Sequence, residues 1–215
     1  QDPNQAIEEC VRLKVEEAVN KLIENGGYIE LKLPIKLFDY EYKKVPYLCY
    51  TAQNDEHCIT QEPVLIEHLE DEIRDYIKDD IDSCFNNVKK DLESKAYTIK
   101  LGTTSFVVEL IPGKAKIHIW NNFEATKSDK SFSYKTFESV TNTPLYDLAI
   151  ITQEVNRQES KWCNVDYPLL MKSNKWVQIN KFQTGDDNKV YDVKDIKTGK
   201  NWRFAIRGCV LDAPG

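Results

Sequence analysis

Residues 62–93 read EPVLIEHLEDEIRDYIKDDIDSCFNNVKKDLE, and this stretch decides the fold class. Leu65, Leu69, Ile73, Ile77, Ile81, Phe85, Val88 and Leu92 recur at helical spacing and keep to one face. At about 3.6 residues per turn this is a long amphipathic helix with a continuous apolar stripe. Pro63 suits the first turn, where its missing N–H is no loss. Acids fill the other side: Glu67, Glu70, Asp71, Asp75, Asp79, Asp80 and Asp82. A solvated helix surface is the plain reading, and a patch for a divalent cation or a basic partner the sharper one. Asp79, Asp80 and Asp82 do not make an EF-hand loop, which needs a Gly and a terminal Glu.

So long an apolar face needs covering, and the flanking sequence supplies the cover. Upstream, residues 4–24 read as a second amphipathic helix, with Ile7, Val11, Val15, Ala18, Val19 and Leu22 on one face. Asn25-Gly26-Gly27 stops it. Tyr28–Leu33 then alternates at period two, a strand ended by Pro34. Downstream, residues 96–137 predict a β-meander through Tyr97–Leu101, Phe106–Leu110, Ala115–Trp120 and Phe132–Lys135, with Pro112-Gly113 as a tight turn. A third helix runs from Pro144 to about Glu159, capped by Thr143, with Leu145, Leu148, Ala149, Thr152 and Val155 inward. Trp176–Phe182, Val190–Val193 and Trp202–Ile206 read as strands again. The expected class is α+β: long amphipathic helices packed on an antiparallel β-meander. One domain over 1–215 is the simplest division, with a subdivision near 160, into 1–160 and 161–215, as the alternative.

Composition narrows the function classes. The chain of 215 residues is 41% hydrophobic and 30% charged, enough for a core without metals. Its net charge of -6 argues against nucleic acid as a partner. There is no nucleophile elbow, P-loop or dinucleotide-binding glycine pattern. No catalytic residue, metal site or cofactor is therefore expected. His57, His68 and His118 fall at no mutual ligand spacing, and His68 with Glu72 reads as a surface contact.

Six cysteines carry more information: Cys10, Cys49, Cys58, Cys84, Cys163 and Cys209. None sits in the close pair that zinc sites usually show. An even number without such pairs points to disulfides and an oxidising, extracellular compartment; buried cytosolic thiols are the alternative. Cys49 and Cys58 flank the polar turn Gln53–Glu56, the layout of a hairpin bridge. Aromatics crowd the same region, and Tyr40, Tyr42, Tyr47 and Tyr50 are the candidate partner-binding residues. A half-buried hairpin would use the same residues without any partner. Trp120, Trp176 and Trp202 are candidates for the aromatic site of a glycan- or peptide-binding module.

Residues 7–29, Val45-Pro46-Tyr47 and Asp82-Ser83-Cys84-Phe85-Asn86-Asn87 resemble a family of uncharacterised membrane-anchored surface proteins of small-genome archaea. The likeness extends over roughly residues 7–160, and the last part of the chain does not share it. In that family an apolar, type IV pilin-like helix precedes the soluble part. The resemblance thus implies a cell-surface location, with membrane attachment only through an anchor absent from this chain. It also implies that Cys10 faces Cys84 across the first two helices. The expected bonds are then Cys10–Cys84, Cys49–Cys58 and Cys163–Cys209, the last tying the third helix to the final strand. The function expected is that of a cell-surface structural protein, a subunit of an assembly or filament that contacts itself or other surface proteins. A monomeric adhesion module and an extracytoplasmic hydrolase are the alternatives.

Overall fold

A computed structural model describes residues 2–128 and 130–210. The protein is α+β and carries three disulfides, Cys10–Cys84, Cys49–Cys58 and Cys163–Cys209. It divides into two compact units, each discontinuous in sequence: Gln1–Val19 with Glu70–Thr143, and Asn20–Leu69 with Pro144–Gly215. No helix among the described residues is long and apolar enough to cross a membrane.

The first unit is built on the two long helices, α1 (Pro3–Glu24) and α2 (Leu65–Ser94), of which it holds the parts up to Val19 and from Glu70. Ile7, Val11, Val15 and Ala18 of α1 are buried, as are Ile73, Ile77, Ile81 and Phe85 of α2. Cys10–Cys84 clamps the helices, and Tyr76 donates to Glu17 on the exposed side. The sheet beneath has strands β4 (Thr98–Leu101), β5 (Ser105–Ile111), β6 (Lys114–Lys127) and β7 (Lys130–Asn142). All pairings are antiparallel: β4 and β5 pair with successive halves of β6, and β7 runs along its other edge. The register on β6 shifts between Trp120 and Phe123, where buried Asn121 hydrogen-bonds Gly102 and Thr104 and fills the break. Phe85 meets Phe137 edge to face at 5.0 Å, seating α2 on the sheet.

The second unit has a mixed sheet in the order β1-β2-β10-β9-β8, with β3 paired to β2. Its strands are β1 (Leu37–Tyr40), β2 (Lys43–Tyr50), β3 (Ile59–Thr60), β8 (Val177–Gln183), β9 (Lys189–Asp195) and β10 (Asn201–Arg207). β2 and β10 run parallel; every other pairing is antiparallel. Helix α3 (Leu145–Trp162) packs on β9. Trp202 and Phe204 lie fully buried at the centre. Gly27, at φ +108, abuts Trp202: a Cβ there would sit 2.9 Å from the indole, so this position takes only glycine.

Several expectations are corrected. Residues 28–33 form no strand. Their backbone is used locally, with the Asn25 side chain donating to the Ile29 carbonyl and the Ile35 N–H to Lys32, so alternation without a partner strand produced an irregular segment. The N-cap of α3 is Pro144 rather than Thr143, and it has no side-chain cap bond. The last meander strand is far longer than Phe132–Lys135, because it follows β6 over nearly its whole length. A short helix, α4 (Tyr167–Ser173), was not foreseen, although Asp166 caps it through the Leu169 N–H and Pro168 occupies its first turn.

Candidate functional site at the end of helix α3

The buried face of α3 runs through Leu145, Leu148, Thr152, Val155 and Asn156 and ends on Glu159, which is 1% exposed. A carboxylate taken out of water needs compensating partners. β9 supplies two from one face, Lys189 and Tyr191. Lys189 Nζ lies 2.5 Å from Glu159 Oε2, and the Tyr191 hydroxyl donates to Oε1. Lys189 also donates to the Cys163 carbonyl at 2.7 Å, satisfying a C-terminal group of the helix. Lys181, opposite Tyr191 on β8, brings its Nζ to 4.0 Å from the same carboxylate. Burial, reinforced by the charge of Glu159, pushes the Tyr191 hydroxyl well above the ordinary tyrosine range. Burial pulls the Lys181 ammonium down, Glu159 opposing and Lys189 assisting. Lys181 opens onto a shallow groove lined by Asn164, Asp166, Tyr167 and Gln183.

One turn away sits the Cys163–Cys209 bond. Cys163 is the C-cap of α3, left-handed at φ 56, and its N–H donates to the Glu159 carbonyl. Cys209 is left-handed too, at φ 54, and its N–H donates to the Glu56 carbonyl at 2.6 Å. His57 lies against this cystine: Nδ1 is 2.9 Å from the Ser160 carbonyl and 3.5 Å from Cys163 Sγ, and Nε2 is 3.9 Å from that sulfur. One ligand atom from each of His57, Cys163 and Cys209 falls within 4.8 Å of the others. The loop bearing His57 is held by Cys49–Cys58, by Asp55 N–H on the Val210 carbonyl, and by Arg207 on Thr51 and Asn54. A Cβ on Gly208 would come within 2.8 Å of the Cys58 backbone nitrogen, so the two cystines approach closely only with glycine there.

The four tyrosines take different places. Tyr47 is buried with Val45 and Ala205, and its hydroxyl donates to Asn188 at 2.7 Å. Burial raises its pKa well above the usual value. Tyr40 and Tyr50 are half-buried against this cluster, with Arg203 over the ring of Tyr40 and Lys36 over that of Tyr50. Tyr42 is fully exposed. It and Glu41 form the two-residue tip between β1 and β2, both left-handed, at φ 63 and 49. Tyr40 also reaches half-exposed Phe182, with ring centroids 6.2 Å apart.

The remaining candidates resolve as follows. Trp202 is core rather than a ligand contact; Trp120 is 44% exposed on the first unit's sheet, and Trp176 is half-buried. His68 hydrogen-bonds the Gly27 carbonyl at 2.8 Å and lies 3.5 Å from Glu62. His118 stands between Glu109 and Glu138, 3.2 Å from each. On the acidic face of α2, Glu70 accepts from the Leu110 N–H and Asp80 lies 3.4 Å from Lys14, while Glu67, Asp71, Asp75 and Asp82 are not buried. No family model, curated protein or solved structure matches the chain.

Sequence reasoning missed Glu159, Lys181, Lys189, Tyr191 and the approach of His57 to the cystine. One signal was present: Glu159 continues the stripe of Val155 at helical spacing, where a surface acid does not belong. The His57 contact carried none, since its partners are 103 positions or more away in sequence.

Proposed function

We propose that this chain is a non-catalytic, extracytoplasmic surface domain that contacts protein partners, itself included, through the β1–β2 hairpin. Three disulfides fit an oxidising, extracellular compartment. The observation that carries the contact role is Tyr42. A two-residue hairpin tip with both residues left-handed favours Asn-Gly, because other side chains pay about 1–2 kcal/mol in that conformation. Here Glu41 and Tyr42 occupy it, and the tyrosine ring packs on nothing. An exposed aromatic held in a costly backbone state, at the end of the strand whose Tyr40 pairs with Phe182, has the character of an interface anchor. The likeness to anchored surface proteins points the same way.

Light scattering against concentration tests this reading, with Tyr42→Gly as the comparison. The wild type is expected to self-associate, and the variant to shift the midpoint at least tenfold toward the monomer. The same variant gains about 0.5–1 kcal/mol in chemical denaturation through relief of the left-handed strain. A wild type that stays strictly monomeric at the highest soluble concentration counts against assembly.

A further inference from the structure

We propose that Cys163 and Cys209, once reduced, form with His57 a three-ligand site for a thiophilic divalent cation, zinc being the best fit. Both half-cystines reach the surface and His57 is exposed, whereas Cys49, Cys58 and Cys84 are buried. Among the described residues this is the only bond open to a soluble thiol at both ends.

The imidazole is already set as a ligand. A carbonyl oxygen only accepts, so Nδ1 carries the proton toward Ser160. This leaves the Nε2 lone pair free; Cys163 Sγ lies 3.5 Å from Nδ1 and 3.9 Å from Nε2, so the freed thiolate turns toward Nε2 to share a metal with it. A backbone carbonyl that fixes the outer nitrogen is the usual support of a metal-binding histidine. Tetrahedral zinc with Zn–S of about 2.3 Å and Zn–N of about 2.0 Å needs sulfur and nitrogen about 3.5 Å apart and the sulfurs about 3.8 Å apart. The cysteine Cα atoms, 5.9 Å apart, allow that sulfur spacing by side-chain rotation alone. Water would complete the fourth position, as in open zinc sites.

The chemistry balances with a dithiol as reductant. One of its thiolates attacks Cys209 Sγ, the Sγ–Sγ bond breaks, and Cys163 leaves as a thiolate beside His57. The second thiol then displaces Cys209, so the dithiol becomes a cyclic disulfide and two electrons and two protons pass to the protein. Zinc takes the two thiolates and the imidazole and releases the two thiol protons to solvent.

The test has two stages. Native protein is treated briefly with a soluble dithiol, alkylated and mapped by mass spectrometry; Cys163 and Cys209 are expected to label at least tenfold faster than the other four. Reduced protein is then desalted without air and titrated with zinc against a chromophoric chelator, and with cobalt(II) to observe thiolate-to-metal charge transfer. One metal per chain is expected, none in the oxidised protein, and at least a tenfold loss of affinity in His57→Ala and His57→Gln. Both variants are first checked for a native circular dichroism spectrum in the oxidised form. Cysteines that reduce all at once, a reduced chain that unfolds, absence of zinc uptake, or unchanged affinity in a folded His57 variant each overturns the proposal.

Discussion

Glu159 shows how a single residue commits its surroundings. Its carboxylate stabilises the fold only because Lys189 and Tyr191 meet it, and Lys189 in turn needs it. Glu159→Ala strands a buried ammonium, and the expected loss is about 3–5 kcal/mol in urea unfolding. Replacing the three together, Glu159→Met with Lys189→Met and Tyr191→Phe, is expected to recover most of that loss, because it leaves neither a buried charge nor the Tyr191 hydroxyl without a partner. If the triple variant is as unstable as the single one, the cluster owes its stability to something other than charge compensation. At this scale the sequence was least legible. Glu159 announced itself by standing on an apolar stripe, but Lys181, Lys189 and Tyr191 look like any residues of an alternating strand.

Elements were far more legible, and the reason is periodic. Helices α1, α2 and α3 repeat their apolar positions over several turns, so local errors average out. Residues 28–33 carry the same kind of pattern over three repeats, too few to distinguish a strand from an irregular segment, and a strand also needs an edge to pair with. Cystines act at this scale by tying elements together. In the chain-entropy view their stabilisation grows with loop length, and the separations are 74, 46 and 9 residues. Replacing each pair with alanines is expected to cost about 4.5 kcal/mol for Cys10–Cys84, about 4 for Cys163–Cys209 and about 2.7 for Cys49–Cys58. Denaturant midpoints of the three double variants check the order.

For the whole molecule, alkaline pH is the informative stress. Tyr47 and Tyr191 keep their protons in the folded state above the ordinary value of 10.0, which the unfolded chain retains. Their stabilisation is complete below that pH and is lost as pH rises through it, since the unfolded state then releases protons that the folded state holds. Lys181 acts in the opposite sense: its lowered pKa makes the folded state give up its proton first, so stability rises with pH below 10.5. The net expectation is a shallow rise followed by a fall of up to about 2.7 kcal/mol per pH unit above pH 10. In Tyr47→Phe the limiting slope is expected to halve. Equilibrium unfolding between pH 8 and 11, with tyrosinate absorbance as a second signal, measures both.

The parallel pairing of β2 with β10 has a consequence for biosynthesis. As the chain emerges from a ribosome or a translocon, β2 appears long before its neighbour β10. Over that interval β2 presents an unfilled edge, and Cys163 is exposed to oxidation before Cys209 exists to receive it. The strands β4–β7 meet no such delay, since each pairs with one close in sequence. Correct formation of the Cys163–Cys209 bond therefore waits until β10 and Cys209 have emerged, and its yield depends on how quickly a disulfide isomerase can undo a premature bond at Cys163.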